Sequence, residues 1–324
     1  MLSNYQAILK SPLIVTEGSM FEALRRNQEI NLHPTLAHSV LVYEKTGRKA
    51  LHELYKSYLD SVVPHGLPMI LFTATWRASL PRLKNSEYHN KPVNEDNVRF
   101  LIELRKSYSH NREKILIGGL IGCIGDAHKP EEGLSVATAE KAHHFQAEKL
   151  AKGGVDFLFG SSLPAVKEAL GMAQAMARTG LPYVLSFIIR KEGTVLDGTS
   201  LSKAIQQIDA ETKTPPSFYM VNCIHPSVLE KAIRRDPGFQ HQAHRLLGLQ
   251  ANTSSLSPEE LEKSVELKTE EPLFFAQALL KVAKRFHLKV LGGCCGTDKT
   301  HIEAIAKLAL TSQNVPGTFW YAGE

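Results

Sequence analysis

Cysteine is scarce, with four residues in a chain of 324, at positions 123, 223, 294 and 295. A disulfide-stapled secreted scaffold needs a far denser set and is excluded. Charge imbalance is also small: the formal net charge is +5, with 22% charged and 43% hydrophobic residues, so intrinsic disorder is excluded. No apolar run approaches the ~20 residues of a membrane span. Polar Ser3, Asn4 and Gln6 stand where a signal peptide would carry its apolar stretch. The excess of Lys and Arg is spread along the chain, so neither a nucleic-acid nor a membrane partner is expected. Repeats at the solenoid periods of roughly 20–50 residues are missing, as are low-complexity tracts. A soluble, cytoplasmic protein is the expectation, with homo-oligomerisation left open.

What is present is a regular alternation. Short apolar, β-branched runs fall at Pro12–Glu17, Pro68–Thr75, Ile115–Gly122, Asp156–Gly160, Pro182–Ile189, Phe218–Cys223, Leu246–Gln250 and Lys289–Gly293. Helical patterns lie between them, at Asn94–Tyr108, Ala139–Lys152, Pro164–Thr179, Leu201–Ile208, Pro226–Arg234, Pro272–Arg285 and Lys299–Leu310. Pro164, Pro226 and Pro272 suit first turns of helices, whereas Gly153-Gly154 and Gly180 suit helix exits. Strands that each precede a helix argue for parallel βαβ units with right-handed crossovers. Continuous apolar runs such as Tyr183–Ile189 match strands buried on both faces. Closure into a (β/α)8 TIM barrel, which commonly takes ~250 residues, is the economical reading; an open doubly wound sheet is its rival. One barrel domain is expected over 1–324, with two helical segments in Asn27–Pro64 and an insertion over Asn252–Glu271.

In such a barrel the functional face lies where strands end. Cys223 closes strand six in Met220-Val221-Asn222-Cys223, and Cys294-Cys295 closes strand eight in Gly292-Gly293-Cys294-Cys295-Gly296-Thr297. Residues that end these strands can converge over the barrel mouth. Three thiolates there make a soft site suited to Zn²⁺, and three protein ligands leave a fourth position open, the mark of a catalytic site. Adjacent cysteines normally point apart; Gly292, Gly293 and Gly296 are expected to supply the unusual dihedrals that let both turn inward. Two other readings stand beside this one: Cys223 as a buried small hydrophobe, and Cys294-Cys295 as a vicinal redox pair. Cys123, in Gly122-Cys123-Ile124-Gly125, reads as a core or pocket-wall residue.

These residues carry a resemblance to the zinc-dependent homocysteine S-methyltransferase family of (β/α)8 barrels. The family's GGCCGT stretch is Gly292–Thr297 here, its N-C element is Asn222-Cys223, and its Gly-Val-Asp segment is Gly154-Val155-Asp156. The strand-two pattern Thr-x-Thr-aromatic-x-Ala-Ser is Thr73–Ser79, and strand five ends in Ser186-Phe187. The likeness runs from about Leu13 to Leu308. It implies an enzyme whose zinc, held by Cys223, Cys294 and Cys295, takes the thiol of homocysteine as fourth ligand. That thiol attacks an activated methyl group, forming methionine. The donor is open among S-adenosylmethionine, S-methylmethionine, betaine and methylfolate. Partners are thus a small-molecule thiol acceptor and a methyl donor.

Departures from the pattern concern the substrate. The family's Asp-Gly-Gly aligns with Glu17-Gly18-Ser19, which keeps an acid for an acceptor amino group but lengthens it by one methylene. A family Glu at the end of strand four becomes Ser161, and this points to a thiol other than homocysteine as an alternative acceptor. Arg77 stands where betaine-using members have an aromatic residue; it would repel a quaternary ammonium yet pair with a carboxylate, or it is a solvated loop residue. Thr73, Trp76 and Asn222 are expected to line the pocket with Glu17 and Gly18. A non-catalytic, redox-responsive protein is the remaining alternative. His225 reads either as an orienting partner of a ligand thiolate or as a turn residue before Pro226; His143-His144 and the pair His241 and His244 are expected to play no chemical part.

Overall fold

The computed structural model describes residues 2–256, 260 and 269–313. Eight parallel strands close into a barrel in sequence order: β1 (Ile14–Thr16), β2 (Met69–Phe72), β3 (Ile115–Gly122), β4 (Phe157–Leu163), β5 (Tyr183–Ile188), β6 (Phe218–Ile224), β7 (Leu246–Ala251) and β8 (Val290–Gly293). The ring is completed by β8 against β1, with Ile14 opposite Val290 and Val15 opposite Leu291. The expected (β/α)8 barrel is therefore the fold, and the open sheet is ruled out.

The period-two geometry of a strand explains the continuous apolar runs. Along β2, Met69 and Leu71 join the large cluster beneath the outer helices, while Ile70 and Phe72 join a second cluster inside the barrel. That inner cluster draws Ile14, Leu116, Phe157, Phe159, Val184, Phe218, Met220 and Val290 from the other strands. The short helix Leu2–Ile8 closes the end of the barrel where strands begin. Its Tyr5 and Ile8 enter the inner cluster, and Tyr5 packs on Phe157 with ring centroids 5.3 Å apart.

Three register shifts interrupt the ladders in ways the sequence does not announce: between Gly160 and Leu163 in β4, between Asn222 and Ile224 in β6, and between Tyr219 and Met220, where β7 takes the extra residue Leu247. The first two each hold a non-glycine residue in the left-handed region, Ser162 at φ 58° and Cys223 at φ 58°. A bulge of this kind adds a residue to one strand and re-aims its side chain, and such features gather beside active sites. As a consequence β4 and β6 run past their expected ends, whereas β2 stops at Phe72 and leaves Thr73 and Thr75 in a turn.

The helices follow expectation with local differences. Pro226 and Pro272 do open their helices, but the helix after β4 is Val166–Ala177, so Pro164 precedes it. Across 27–64 the expected two segments resolve into a single-turn 3-10 helix, Leu41–Tyr43, and one long helix, Lys45–Val62; the chain just before them is taken up by turns, with His33 bridged to Ala37. Short helices at Met20–Arg26 and Leu80–Lys84 add to the pattern read from the sequence. The insertion expected over Asn252–Glu271 falls in large part on 257–259 and 261–268, outside the described residues.

Candidate metal centre

Above the inner cluster, at the face where the strands end, opens a cavity of about 740 Å³. On its floor the Sγ atoms of Cys223, Cys294 and Cys295 lie within 4.8 Å of one another, the single such group of potential ligands among the described residues. Cys223 Sγ and Cys294 Sγ are 2.9 Å apart. All four cysteines are free thiols. Hydrogen bonds from Cys294 and Cys295 hold the Cys223 thiol well below its ordinary pKa, while burial works in the opposite direction. The same sharing raises Cys294 well above the thiol range and pushes Cys295 up to about 12.

The donor set fits a thiophilic ion. Sulfurs bound to one tetrahedral Zn²⁺ at 2.3 Å lie ~3.8 Å apart, which three sulfurs in this spacing reach with small side-chain rotations. The contact at 2.9 Å joins Cys223 of β6 to Cys294 just beyond β8, and Cys294 and Cys295 are free thiols with no disulfide between them.

Each ligand candidate is held by its surroundings. Cys223 is turned by its left-handed backbone, and Asn222 Nδ2 donates to its sulfur at 3.2 Å. Asn222 also donates to Ser162 Oγ at 3.0 Å and accepts from Ser186 Oγ at 2.7 Å and Ser162 N–H at 3.2 Å, so its amide valences are all used. The N–H of Cys294 donates to Ala251, and that of Cys295 to Asn252 Oδ1 at 3.0 Å. Thr297 Oγ1 donates to the Cys294 carbonyl at 2.6 Å and accepts from Ser19 N–H at 3.1 Å. Glu22 Oε2 accepts from Gly296 N–H at 2.7 Å.

The glycines act differently from expectation. Only Gly296 has a positive φ, 81°. Gly292 and Gly293 serve close approach instead: a Cβ on Gly292 would sit 1.8 Å from Thr16 Oγ1, and one on Gly293 would sit 2.2 Å from Thr297 Oγ1. The unusual dihedral needed for convergence lies on Cys223 itself, in the partner strand.

Glu17 enters the cavity wall from the end of β1, 5% exposed, with Oε2 accepting Phe72 N–H at 2.9 Å. Burial pushes its carboxyl well above the ordinary range, with the Phe72 N–H opposing. Gly18 packs where a side chain would strike Tyr58, whose hydroxyl donates to the Ser19 carbonyl at 3.2 Å. Tyr55 likewise donates to Phe72 O at 2.6 Å, so the helix Lys45–Val62 supports the loops after β1 and β2. Ser161, Asn222, Trp76 and Arg77 line the cavity. Thr73 does not: it is fully buried, its Oγ1 accepting Leu120 N–H at 2.9 Å and bonding Thr75 Oγ1 at 2.6 Å, because the chain turns as β2 ends.

The histidines sort clearly. His225 caps the helix Pro226–Arg235, its Nδ1 accepting from Ser227 N–H, and Nε2 meets Glu270 at 3.3 Å; it is a turn residue without a thiolate partner. His143 has more of a part than expected. Buried, it lies 3.0 Å from Glu168 Oε1, and Glu168 accepts from Ile124 N–H at 2.8 Å and Leu134 N–H at 3.2 Å. Burial opposes the Glu168 charge, yet these partners hold its pKa below the usual value and pin the loop that carries Asp126 and His128 to the cavity. His241 and His244 are exposed. Cys123 packs with Ile188 and Leu196 beside Trp76, and burial pushes its thiol up to about 12; it is a core residue and does not line the cavity.

Sequence reasoning missed Glu22, Asn252 and Arg82. A signal for Glu22 was present: Ser19-Met20-Phe21-Glu22 has the capping-box spacing of a helix start. The structure places Ser19 at the N-cap without a side-chain bond and directs Glu22 to the Gly296 loop.

Comparison with known proteins agrees over nearly the whole length. The family model described as homocysteine S-methyltransferase matches residues 14–309. Homocysteine S-methyltransferase 2 of Saccharomyces cerevisiae is 24% identical over 287 residues, covering 80% of each chain. Among solved structures, the metallated homocysteine methyltransferase MmuM from Escherichia coli superposes with a TM-score of 0.73 at 19% identity, covering 94% of this chain and 99% of that one. Its apo form gives 0.66 with the same coverage. These likenesses in structure concern the fold.

Proposed function

Because the chain belongs to the homocysteine S-methyltransferase family, and is thus a methyltransferase acting on small molecules, we propose that it moves a methyl group from an activated donor to the thiol of homocysteine, forming methionine, on a zinc ion held by Cys223, Cys294 and Cys295. The observation that carries the reading is the convergence of three sulfurs from β6 and β8 on the floor of a cavity whose wall holds a buried acid, Glu17.

Zinc, when bound, supplies a Lewis acid that favours the thiolate of an incoming thiol, whose pKa is otherwise ~8.5. The protein's own residues do the rest. Asn222, Asn252, Thr297 and Glu22 hold the cysteine loops, so little reorganisation accompanies binding. Glu17 receives the acceptor's ammonium, which returns its carboxyl to the ionised form that burial disfavours. The acceptor sulfur then forms the S–CH₃ bond as the donor's bond to the same carbon breaks, releasing a neutral sulfide or amine. Phe159, Leu120 and Ile188 on the cavity wall exclude water from that step.

Purified protein should carry about one zinc by elemental analysis, a stoichiometry the three-thiolate donor set implies. A matrix of thiols against S-adenosylmethionine, S-methylmethionine, betaine and methylfolate, read by product mass, identifies both substrates. Cys294→Ser should lose zinc and turnover together; a variant that keeps both would sink the reading. A different thiol acceptor is the second reading, favoured by Ser161, which bonds its neighbour Ser162 at 3.5 Å and offers no charge to an ammonium. Product mass decides between them.

A further inference from the structure

The cavity lining offers groups of both charges. The cysteines, Asn222 and Glu17 line it together with Trp76, Arg77 and Arg82 from the loop and short helix after β2. Trp76 and Cys223 pack against the same small cluster of Cys123, Ala127, Ile188 and Leu196. Arg77 and Arg82 are both half-buried, and among the described residues neither has a carboxylate within ion-pair distance. Arg77 lies flat over Trp76, its guanidinium carbon 4.2 Å from the ring centre, and donates to Gly125 O at 3.1 Å. Arg82 donates to Ile124 O at 2.9 Å and Thr35 O at 3.3 Å, which leaves its buried Nε without a partner.

Two acids, Asp126 and Glu132, act on Arg82 from beyond ion-pair distance and have nearer partners of their own. Asp126 Oδ1 accepts His128 N–H at 2.9 Å, and Glu132 accepts Asp126 N–H while pairing with Lys129 at 3.4 Å. Two guanidiniums close enough to repel one another, partly desolvated and with open donors, form a site that an anion completes. Burial, and after it the neighbouring Arg77, lower the pKa of Arg82, while Asp126 and Glu132 oppose them in part.

We infer that Arg77 and Arg82 are a carboxylate-recognising wall that seats the methyl donor, and that the preferred donor carries a carboxylate and a net charge of zero or below. The assignment to the donor rests on the methyl-transfer reading above. The acceptor's carboxylate, adjacent to its amino group, belongs near Glu17. Glu17 accepts the Phe72 N–H and pairs with no arginine among the described residues, so the acid is the group offered to an ammonium and the arginines are the groups offered to a carboxylate. A sulfonium that also bears a free amino group is net cationic and is disfavoured by the same pair of charges.

The test is calorimetric binding to the zinc-loaded protein without any thiol, so that no turnover is needed. The probes are dimethylsulfonioacetate, a carboxylate, and dimethylsulfonioacetamide, its uncharged-tail counterpart. The native protein should bind the carboxylate about tenfold more tightly or better, the worth of one charge-assisted hydrogen bond. Arg77→Gln should bring that ratio toward one while homocysteine affinity stays within about twofold. Arg82→Gln serves as the second variant, with circular dichroism confirming that each is folded.

An unchanged ratio in both folded variants, or failure of the native protein to bind either probe, overturns the proposal. Loss of homocysteine affinity instead would move the carboxylate to the acceptor and overturn it equally. Product mass on the same preparations keeps the two readings apart. Arginine-dependent carboxylate binding without methylated thiol would refute methyl transfer, whereas methylated thiol with an unchanged ratio would refute the carboxylate wall alone.

Discussion

Glu17 shows how one residue is caught between stability and function. Its folded-state carboxyl titrates above the ordinary value, so the folded protein binds the proton more tightly than the unfolded chain. Stability from this group is therefore present at low pH and is lost as pH rises from the unfolded value, ~4.5, through the raised folded one. Glu17→Gln should accordingly stabilise the acceptor-free protein at pH 7–8 by on the order of 1 kcal/mol, an advantage that fades toward pH 4. It should also raise KM for the acceptor roughly tenfold or more, since a charged partner is lost. Thermal melts across pH, paired with steady-state kinetics, check both; a melt advantage that persists unchanged at pH 4 would contradict the account. Ser161 is the complementary case. Ser161→Glu places an acid beside the acceptor's amino end, and homocysteine kcat/KM should improve about tenfold or more if that ammonium is left underbound. An unchanged value would show that Glu17 suffices.

Single elements decide whether the thiols meet. The bulge in β6 puts Cys223 at φ 58°, and Asn222 fastens the sulfur it presents. Asn222→Ala keeps the strand but removes four hydrogen bonds, two to Ser162 in the β4 bulge, one to Ser186 of β5 and one to the Cys223 sulfur, and zinc affinity should fall about 10–100-fold, measured by chelator competition. Full retention of affinity would assign Asn222 to packing alone. On β8, Gly292→Ala would drive a methyl group into Thr16 Oγ1 and Glu17 O, so β1 and β8 must part. Overpacking of this kind costs ~1–3 kcal/mol, and both zinc content and thermal stability should drop. Motif and placement at strand ends were readable from Cys223, Cys294 and Cys295. The job of Gly292 was not, since what it must avoid is a side chain 276 positions away in sequence.

At the scale of the whole molecule the barrel separates its two ends. Helix Leu2–Ile8 closes the end where strands begin, and its Tyr5 and Ile8 each bury a side chain worth ~1.5–3 kcal/mol. Deleting residues 1–9 should lower stability by ~3–5 kcal/mol yet leave zinc stoichiometry intact, because the cysteines sit on the opposite face. Denaturant melts with elemental analysis test this; loss of zinc in a variant that still folds would mean the two ends are coupled.

Alternating apolar runs and amphipathic stretches determined eight parallel strands with crossover helices, because burial on both faces of a parallel strand leaves its mark on every residue of that strand; closure of β8 on β1 was decided by the tertiary structure. The two cysteine motifs likewise determined which thiols were available and on which face. Only the tertiary structure decided how they converge, through bulges in β4 and β6 and contacts such as Gly292 against Thr16; it also placed Arg77 and Arg82 without a carboxylate at ion-pair distance among the described residues. Periodicity records local burial, whereas bulges, close approaches and missing counter-charges arise between residues far apart in the chain. They become definite only when the ring of strands closes.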